Sequence, residues 1–101
     1  MRRKMICSFV SRYSEIEGLQ KRRTVTYAAE ATANGICLLL RQENDFGIRT
    51  EACVCPSVSS ETAASVLQYI FENSIGVGCW YDVLRDLCIP YTVAMLPAPV
   101  A

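Results

Sequence analysis

The chain has 101 residues, ten basic and ten acidic side chains for a formal net charge of zero, six cysteines and no histidine. The length fits one domain, and an apolar fraction of 51% with 20% charged residues is typical of a folded chain. The lack of histidine excludes the catalytic triads and metal sites that depend on an imidazole.

Alternating or continuous apolar residues predict four strands in the first half, at residues 4–13, 23–32, 35–42 and 47–55. The second strand alternates most clearly, with Val25, Tyr27 and Ala29 on one face. Asn34-Gly35 and residues 44–47 are turn signals between the last three strands. Strands joined by such short turns pair antiparallel, so we expect a meander of three to four strands.

The apolar period becomes helical after Ser59, which predicts helices at residues 60–74 and 79–88. Ser59 or Ser60 is expected to cap the first helix, and Gly76 to end it. Each helix is too short to be stable alone, so both should pack their apolar stripes on the sheet. The sequence therefore predicts a single α+β domain over residues 1–101, with the antiparallel meander followed by two short C-terminal helices packed on one face.

The last segment, residues 89–101, has no charge and three prolines. Residues 91–95 have the composition of an edge strand, while the prolines prevent a long helix. An apolar segment of this kind is expected to cover its own sheet, or to bind a partner or a second copy.

No apolar run reaches the length of about 18 residues that a transmembrane helix needs. The chain begins with basic residues, but Ser8, Ser11 and Arg12 break the apolar stretch that a signal peptide requires. No glycine-rich phosphate-binding motif is present. We therefore expect a cytoplasmic protein with no membrane segment and no cofactor.

Three short motifs occur in a characteristic order: Val25-Thr26-Tyr27, Phe46-Gly47-Ile48 and Trp80-Tyr81-Asp82-Val83-Leu84-Arg85-Asp86-Leu87. Over about residues 23–89 this order resembles a family of small bacterial proteins catalogued as domain of unknown function 6514. Trp80-Tyr81 departs from the family pattern, which has leucine and a small polar residue there. The resemblance implies a small cytoplasmic protein and brings neither an activity nor a catalytic residue.

Cys53 and Cys55 form the most distinctive cysteine pair, because both lie on one face of the fourth strand. Their Cα atoms should be about 7 Å apart with parallel side chains, so they should not form a disulfide with each other. If Ile48 and Val54 face the core, the two thiols lie on the opposite face with the charged residues of that strand. They are then candidates for half of a thiolate metal site or for a redox pair; the alternative is that they serve as small buried apolar side chains.

The zero net charge divides into +5 over residues 1–23 and −5 over residues 24–101. The candidate contact residues for a partner or for nucleic-acid phosphates are Arg12, Lys21, Arg22 and Arg23. The alternative is a charged strand edge that prevents aggregation. Asp82 and Asp86 lie opposite the apolar stripe of their helix, which favours a solvated surface over acid–base catalysis.

The leading hypothesis is a small non-enzymatic protein-interaction module that binds a protein partner or forms a homodimer. A nucleic-acid accessory protein that uses the basic N-terminal hairpin is the first alternative. A cysteine-based metal or redox protein is the second. An enzyme is the least favoured class because no nucleophile–base pair is present in the sequence.

Overall fold

The structure, a computed structural model, describes residues 4–14, 16–18 and 22–93. It confirms an α+β fold in which an antiparallel meander is followed by two helices on one side of the sheet. In chain order the elements are β1 (Lys4–Tyr13), β2 (Arg23–Thr32), β3 (Gly35–Asn44), β4 (Gly47–Cys55), α1 (Ser60–Glu72), α2 (Trp80–Asp86) and β5 (Thr92–Val93).

The five strands are hydrogen-bonded in the order β1-β2-β3-β4-β5, and every neighbouring pair is antiparallel. The β2–β3 turn consists of Ala33 and Asn34, one residue earlier than the predicted Asn34-Gly35 turn, because Gly35 already pairs with Thr32. Gly35 has a φ of +128°, and a Cβ atom there would lie 2.5 Å from the carbonyl oxygen of Cys55. This close approach explains why glycine is needed at the start of β3.

Helix α1 begins as predicted, with Ser59 as its N-cap and the Ser59 hydroxyl accepting a hydrogen bond from the backbone N–H of Thr62 at 3.1 Å. The predicted end at Gly76 is wrong. Ser74 already adopts the left-handed conformation with φ 53°, and the N–H of Ile75 donates to the carbonyl of Ile70. This backbone closure satisfies the last carbonyl groups before the chain reaches the glycine.

Helix α2 ends in the same way, before the predicted stop at Pro90. Cys88 has φ 57°, and the N–H of Ile89 donates to the carbonyl of Leu84 at 2.9 Å. Both helices therefore end in a backbone closure at a left-handed residue other than glycine.

The core lies between that face and the two helices. Phe71 of α1 stacks on Phe9 at a centroid distance of 4.9 Å and meets Tyr27 edge-on at 5.7 Å. Trp80 and Leu84 of α2 are fully buried in the same cluster. Neither helix of the described residues has the length and apolarity that crossing a membrane requires.

The last described residues form β5, in which Thr92 pairs with Val54 and Val93 with Cys53. The segment therefore begins as an edge strand on β4. The remainder of the predicted apolar tail, residues 94–101, lies outside the described residues.

Candidate functional site

The sheet has a second face, here called the open face, which no helix of the described residues covers. Its side chains alternate along each strand with those that point into the core. The strand register arranges them in four cross-strand rows. From one end of the face to the other, the rows are Arg12, Thr24, Glu43 and Ile48; Val10, Thr26, Arg41 and Thr50; Ser8, Ala28, Leu39 and Ala52; and Met5, Glu30, Cys37 and Val54.

Half of the side chains in the four rows of the open face are apolar. Met5, Val10 and Ile48 are 55%, 41% and 59% exposed, respectively. The same face also carries small, buried side chains, which include those of Ala28 and Ala52. An antiparallel sheet with one solvated face normally presents polar side chains to water. A concentration of exposed apolar side chains instead marks an interaction surface.

The charged residues of the open face are distributed unequally between its two ends. Arg41 and Glu43 lie near one end and form an ion pair at 3.2 Å, so their charges largely cancel. Arg12 lies in the outermost row of that same end, which is therefore called the Arg12 end. Glu30 lies in the outermost row of the opposite end, called the Glu30 end.

The structure places β4 in the orientation opposite to the one on which the thiol-site hypothesis depended. Leu38 pairs with Cys53 and Ile36 with Cys55, so both thiols face the helices, while Ile48 and Val54 lie on the open face. The apolar alternation of β4 favoured the opposite orientation. The missed signal is the two-residue turn at 45–46, because it sets the register with β3 and hence the face of every residue in β4.

Cys53 and Cys55 are fully buried among apolar side chains. A hydrogen bond with the Cys55 thiol, together with burial, raises the pKa of Cys53. Within the described residues, no group of three or more cysteine or carboxylate side chains is placed to hold a metal ion. The location of the pair fits small apolar core residues, and the metal or redox hypothesis stays a prediction.

None of the six cysteines forms a disulfide, and the exposure of their side chains differs widely. We expect Cys79 and Cys88 to react rapidly with a water-soluble disulfide reagent in the native state, because both are exposed. Cys7 should react more slowly, since it is partly buried and burial raises its pKa. Cys37, Cys53 and Cys55 should react only after unfolding in denaturant. Mass spectrometry of the labelled peptides checks this order, and rapid native labelling of Cys53 would contradict the placement of β4.

The candidate basic residues do not form one patch. Arg12 lies on the open face, whereas Arg23, opposite Tyr13, lies on the other face, with its guanidinium 4.3 Å from the centre of the Tyr13 ring. Arg22 approaches the carboxylate of Asp45 at 3.8 Å. Lys21 lies outside the described residues. The nucleic-acid alternative stays a prediction, and the described arginines would meet a phosphate backbone from different sides.

Glu51 forms a cluster of contacts that the sequence did not indicate. One carboxylate oxygen accepts hydrogen bonds from the backbone N–H of Gly78 at 2.6 Å and from the indole N–H of Trp80 at 3.0 Å. The other oxygen approaches the guanidinium of Arg49 at 3.2 Å. Burial, followed by the charge of Glu51, raises the pKa of the neighbouring Tyr81 to about 12. The cluster joins β4 to α2 and serves the fold.

Asp82 and Asp86 are both exposed on α2, as predicted, and Asp82 pairs with Arg85 of the same helix. This arrangement is that of a solvated helix surface.

Among the features described, the exposed apolar side chains of the open face form the strongest candidate site.

Comparison with known protein families, with curated proteins and with solved structures finds no match. The resemblance over residues 23–89 to domain of unknown function 6514 accordingly stays a prediction.

Proposed function

We propose that this chain is a small non-enzymatic protein-interaction module that forms a homodimer through its open face. The observation that carries the proposal is the exposure of Met5, Val10 and Ile48 on that face. Pairing two copies would remove these side chains from water, and apolar burial is the main driving force of protein association.

The size of the open face supports a second copy as the partner. With strands about 4.8 Å apart and a rise of about 3.3 Å per residue, four strands and four rows cover roughly 500 Å² per copy. Two facing copies would bury about 1,000 Å², which is near the lower limit for a specific interface. We therefore expect a dimer that dissociates on dilution.

The predicted setting is the cytoplasm. No disulfide joins any of the six cysteines, although Cys53 and Cys55 lie close together in β4, and reduced thiols are typical of a reducing compartment.

The test is sedimentation velocity over a dilution series with the unmodified chain and the double variant Val10→Lys/Ile48→Lys. The unmodified chain should shift from dimer to monomer as it is diluted. The double variant should weaken the dimer at least about tenfold, because two charges would be desolvated at the interface. Both positions are exposed in the monomer, so circular dichroism should show an unchanged fold.

Tyr69→Lys/Leu87→Lys is the matched control, since both side chains are 53% exposed, Tyr69 lies on α1 and Leu87 is the C-cap of α2. This variant should dimerise like the unmodified chain. A strict monomer at all concentrations, or equal weakening by the control pair, would overturn the proposal.

A further inference from the structure

We propose that residues 94–98 extend β5 along the outer edge of β4, which faces away from β3, and thereby add Leu96 to the open face. These residues lie outside the described part of the chain, whereas the edge that would hold them is described. β5 covers that edge only at Cys53 and Val54, and no other described strand lies there. The strand extension concerns the single chain, and the contribution of Leu96 to association rests on the proposed homodimer.

The register of β5 determines which residues would meet. Thr92 pairs with Val54 and Val93 with Cys53 in antiparallel order, so each further residue moves one position back along β4, toward the Arg12 end. β4 continues in that direction as far as Gly47, so it is long enough to pair with the whole segment. The partners in the same register are Ala94 with Ala52, Met95 with Glu51, Leu96 with Thr50, Pro97 with Arg49 and Ala98 with Ile48.

Pro97 falls at a position where a strand on this edge needs no N–H group. Asn44 and Gly47 flank a two-residue turn and form a hydrogen-bonded pair, so Gly47 and every second residue after it direct their backbone N–H and C=O groups at β3. The residues between them, such as Thr50, direct these groups to the outer edge. Leu96 would bond to Thr50, whereas Pro97 would face away from β4 and lose no hydrogen bond.

The prolines also favour a strand that ends the sheet. Pro99 would face outward like Pro97, and a proline offers no N–H group to a further strand. A proline restricts the residue before it to extended backbone. Leu96 and Ala98 precede the two prolines, so both are biased toward the conformation that the extension requires.

The burial of Ala52 supports an occupied edge. By the same alternation its N–H and C=O groups point outward, yet the residue is 0% exposed. The hydroxyl of Tyr81 approaches the Ala52 carbonyl oxygen at 3.5 Å, and a carbonyl oxygen can accept two hydrogen bonds. The N–H of Ala94 would be the second donor, and the Ala94 carbonyl would accept from the N–H of Ala52.

The extension would place Leu96 on the open face. Residues that pair across strands share a face, so Leu96 would lie beside Thr50, whereas Met95 would lie beside Glu51 on the helix side. A fifth strand would enlarge the open face from roughly 500 Å² to roughly 625 Å² per copy. Two facing copies would then bury about 1,250 Å², which reaches the standard range of specific interfaces.

The strand is tested by amide hydrogen exchange, followed by NMR, on the unmodified chain diluted to the monomer. The N–H groups of Ala94 and Leu96 should exchange at least about tenfold more slowly than that of Met95, because only the first two point at β4. An Overhauser effect between the Hα protons of Met95 and Glu51, which would form a non-hydrogen-bonded pair, should accompany this alternation. Rapid exchange at Leu96, equal to that at Met95, would overturn the proposal.

The contribution to association is tested by sedimentation velocity on Leu96→Lys, with Met95→Lys as the matched control. Leu96→Lys should weaken the dimer at least about fivefold, because the interface would desolvate the new charge. Met95→Lys adds the same charge one residue away on the other face and should leave the dimer unchanged. Circular dichroism checks the fold of both variants.

The outcomes separate this proposal from the proposed function. If Val10→Lys/Ile48→Lys weakens the dimer but Leu96→Lys does not, Leu96 lies outside the interface and the open-face homodimer stands. Equal weakening by Leu96→Lys and Met95→Lys would also overturn the assignment of Leu96 to the open face. A chain that is monomeric at every concentration but shows the alternating exchange would overturn the homodimer and support the extended strand.

Discussion

Replacing Glu51 by leucine is expected to lower the free energy of unfolding by about 3 kcal/mol. The substitution removes the acceptor for two N–H groups, the indole of the fully buried Trp80 and the backbone of Gly78. A donor that loses its acceptor keeps its desolvation cost, which is about 1–3 kcal/mol per group. Glu51→Gln retains an acceptor oxygen and should cost only about 1 kcal/mol. Urea unfolding at a fixed protein concentration, followed by the fluorescence of Trp80, the single tryptophan, measures the difference.

Arg49→Gln is the control for this prediction. It removes the ion pair with Glu51 but leaves both N–H contacts in place. The guanidinium is largely exposed, and exposed ion pairs contribute at most about 1 kcal/mol. If Arg49→Gln destabilised the protein as much as Glu51→Leu, the ion pair and not the Trp80 contact would be the important interaction.

Replacing Gly35 by alanine is expected to lower the free energy of unfolding by about 3 kcal/mol. Gly35 has a φ of +128°, which disfavours any side chain. The new Cβ atom would also lie 2.5 Å from the Cys55 oxygen and 2.7 Å from the Cα atom of Pro56. Both neighbours are backbone atoms, so the β2–β3 turn must move away from the end of β4.

Gly47→Ala separates conformational strain from the close contact. Gly47 also has a positive φ, +142°, but no heavy atom lies within 4 Å of the position of a Cβ there. This variant should therefore lose only about 1 kcal/mol from backbone strain. Thermal unfolding of the two variants side by side provides the comparison. Equal losses would show that the contact with Cys55 and Pro56 has no effect on stability.

Local sequence signals predicted the meander and the helix start. The alternation in β2 and the short turn at 45–46 produce antiparallel neighbours, because such turns leave no other way for the strands to pair. The Ser59 hydroxyl caps the start of α1 by accepting a hydrogen bond from the backbone N–H of Thr62. These features depend on residues that are close in the sequence, so the sequence alone is sufficient to predict them.

The helix ends and the contacts of Glu51 could not be predicted in this way. Ser74 and Cys88 adopt the left-handed conformation although glycine is the residue favoured there. Glu51 meets Gly78 and Trp80 across 27 and 29 residues of chain, respectively. Nothing in the local pattern of β4 distinguishes this carboxylate from a solvated one.

The candidate site likewise depends partly on local sequence and partly on contacts that form only in the folded chain. The sequence by itself determined the sheet, the two amphipathic helices and the absence of imidazole chemistry, since these follow from local periodicity and composition. Tertiary structure overruled the apolar alternation of β4, because the register with β3 sets which face is buried and a shift of one residue would exchange Cys53 with Val54. The helices then cover one face, and Met5 and Val10 of β1 and Ile48 of β4 remain exposed on the other, because only the folded sheet places these side chains on the same face.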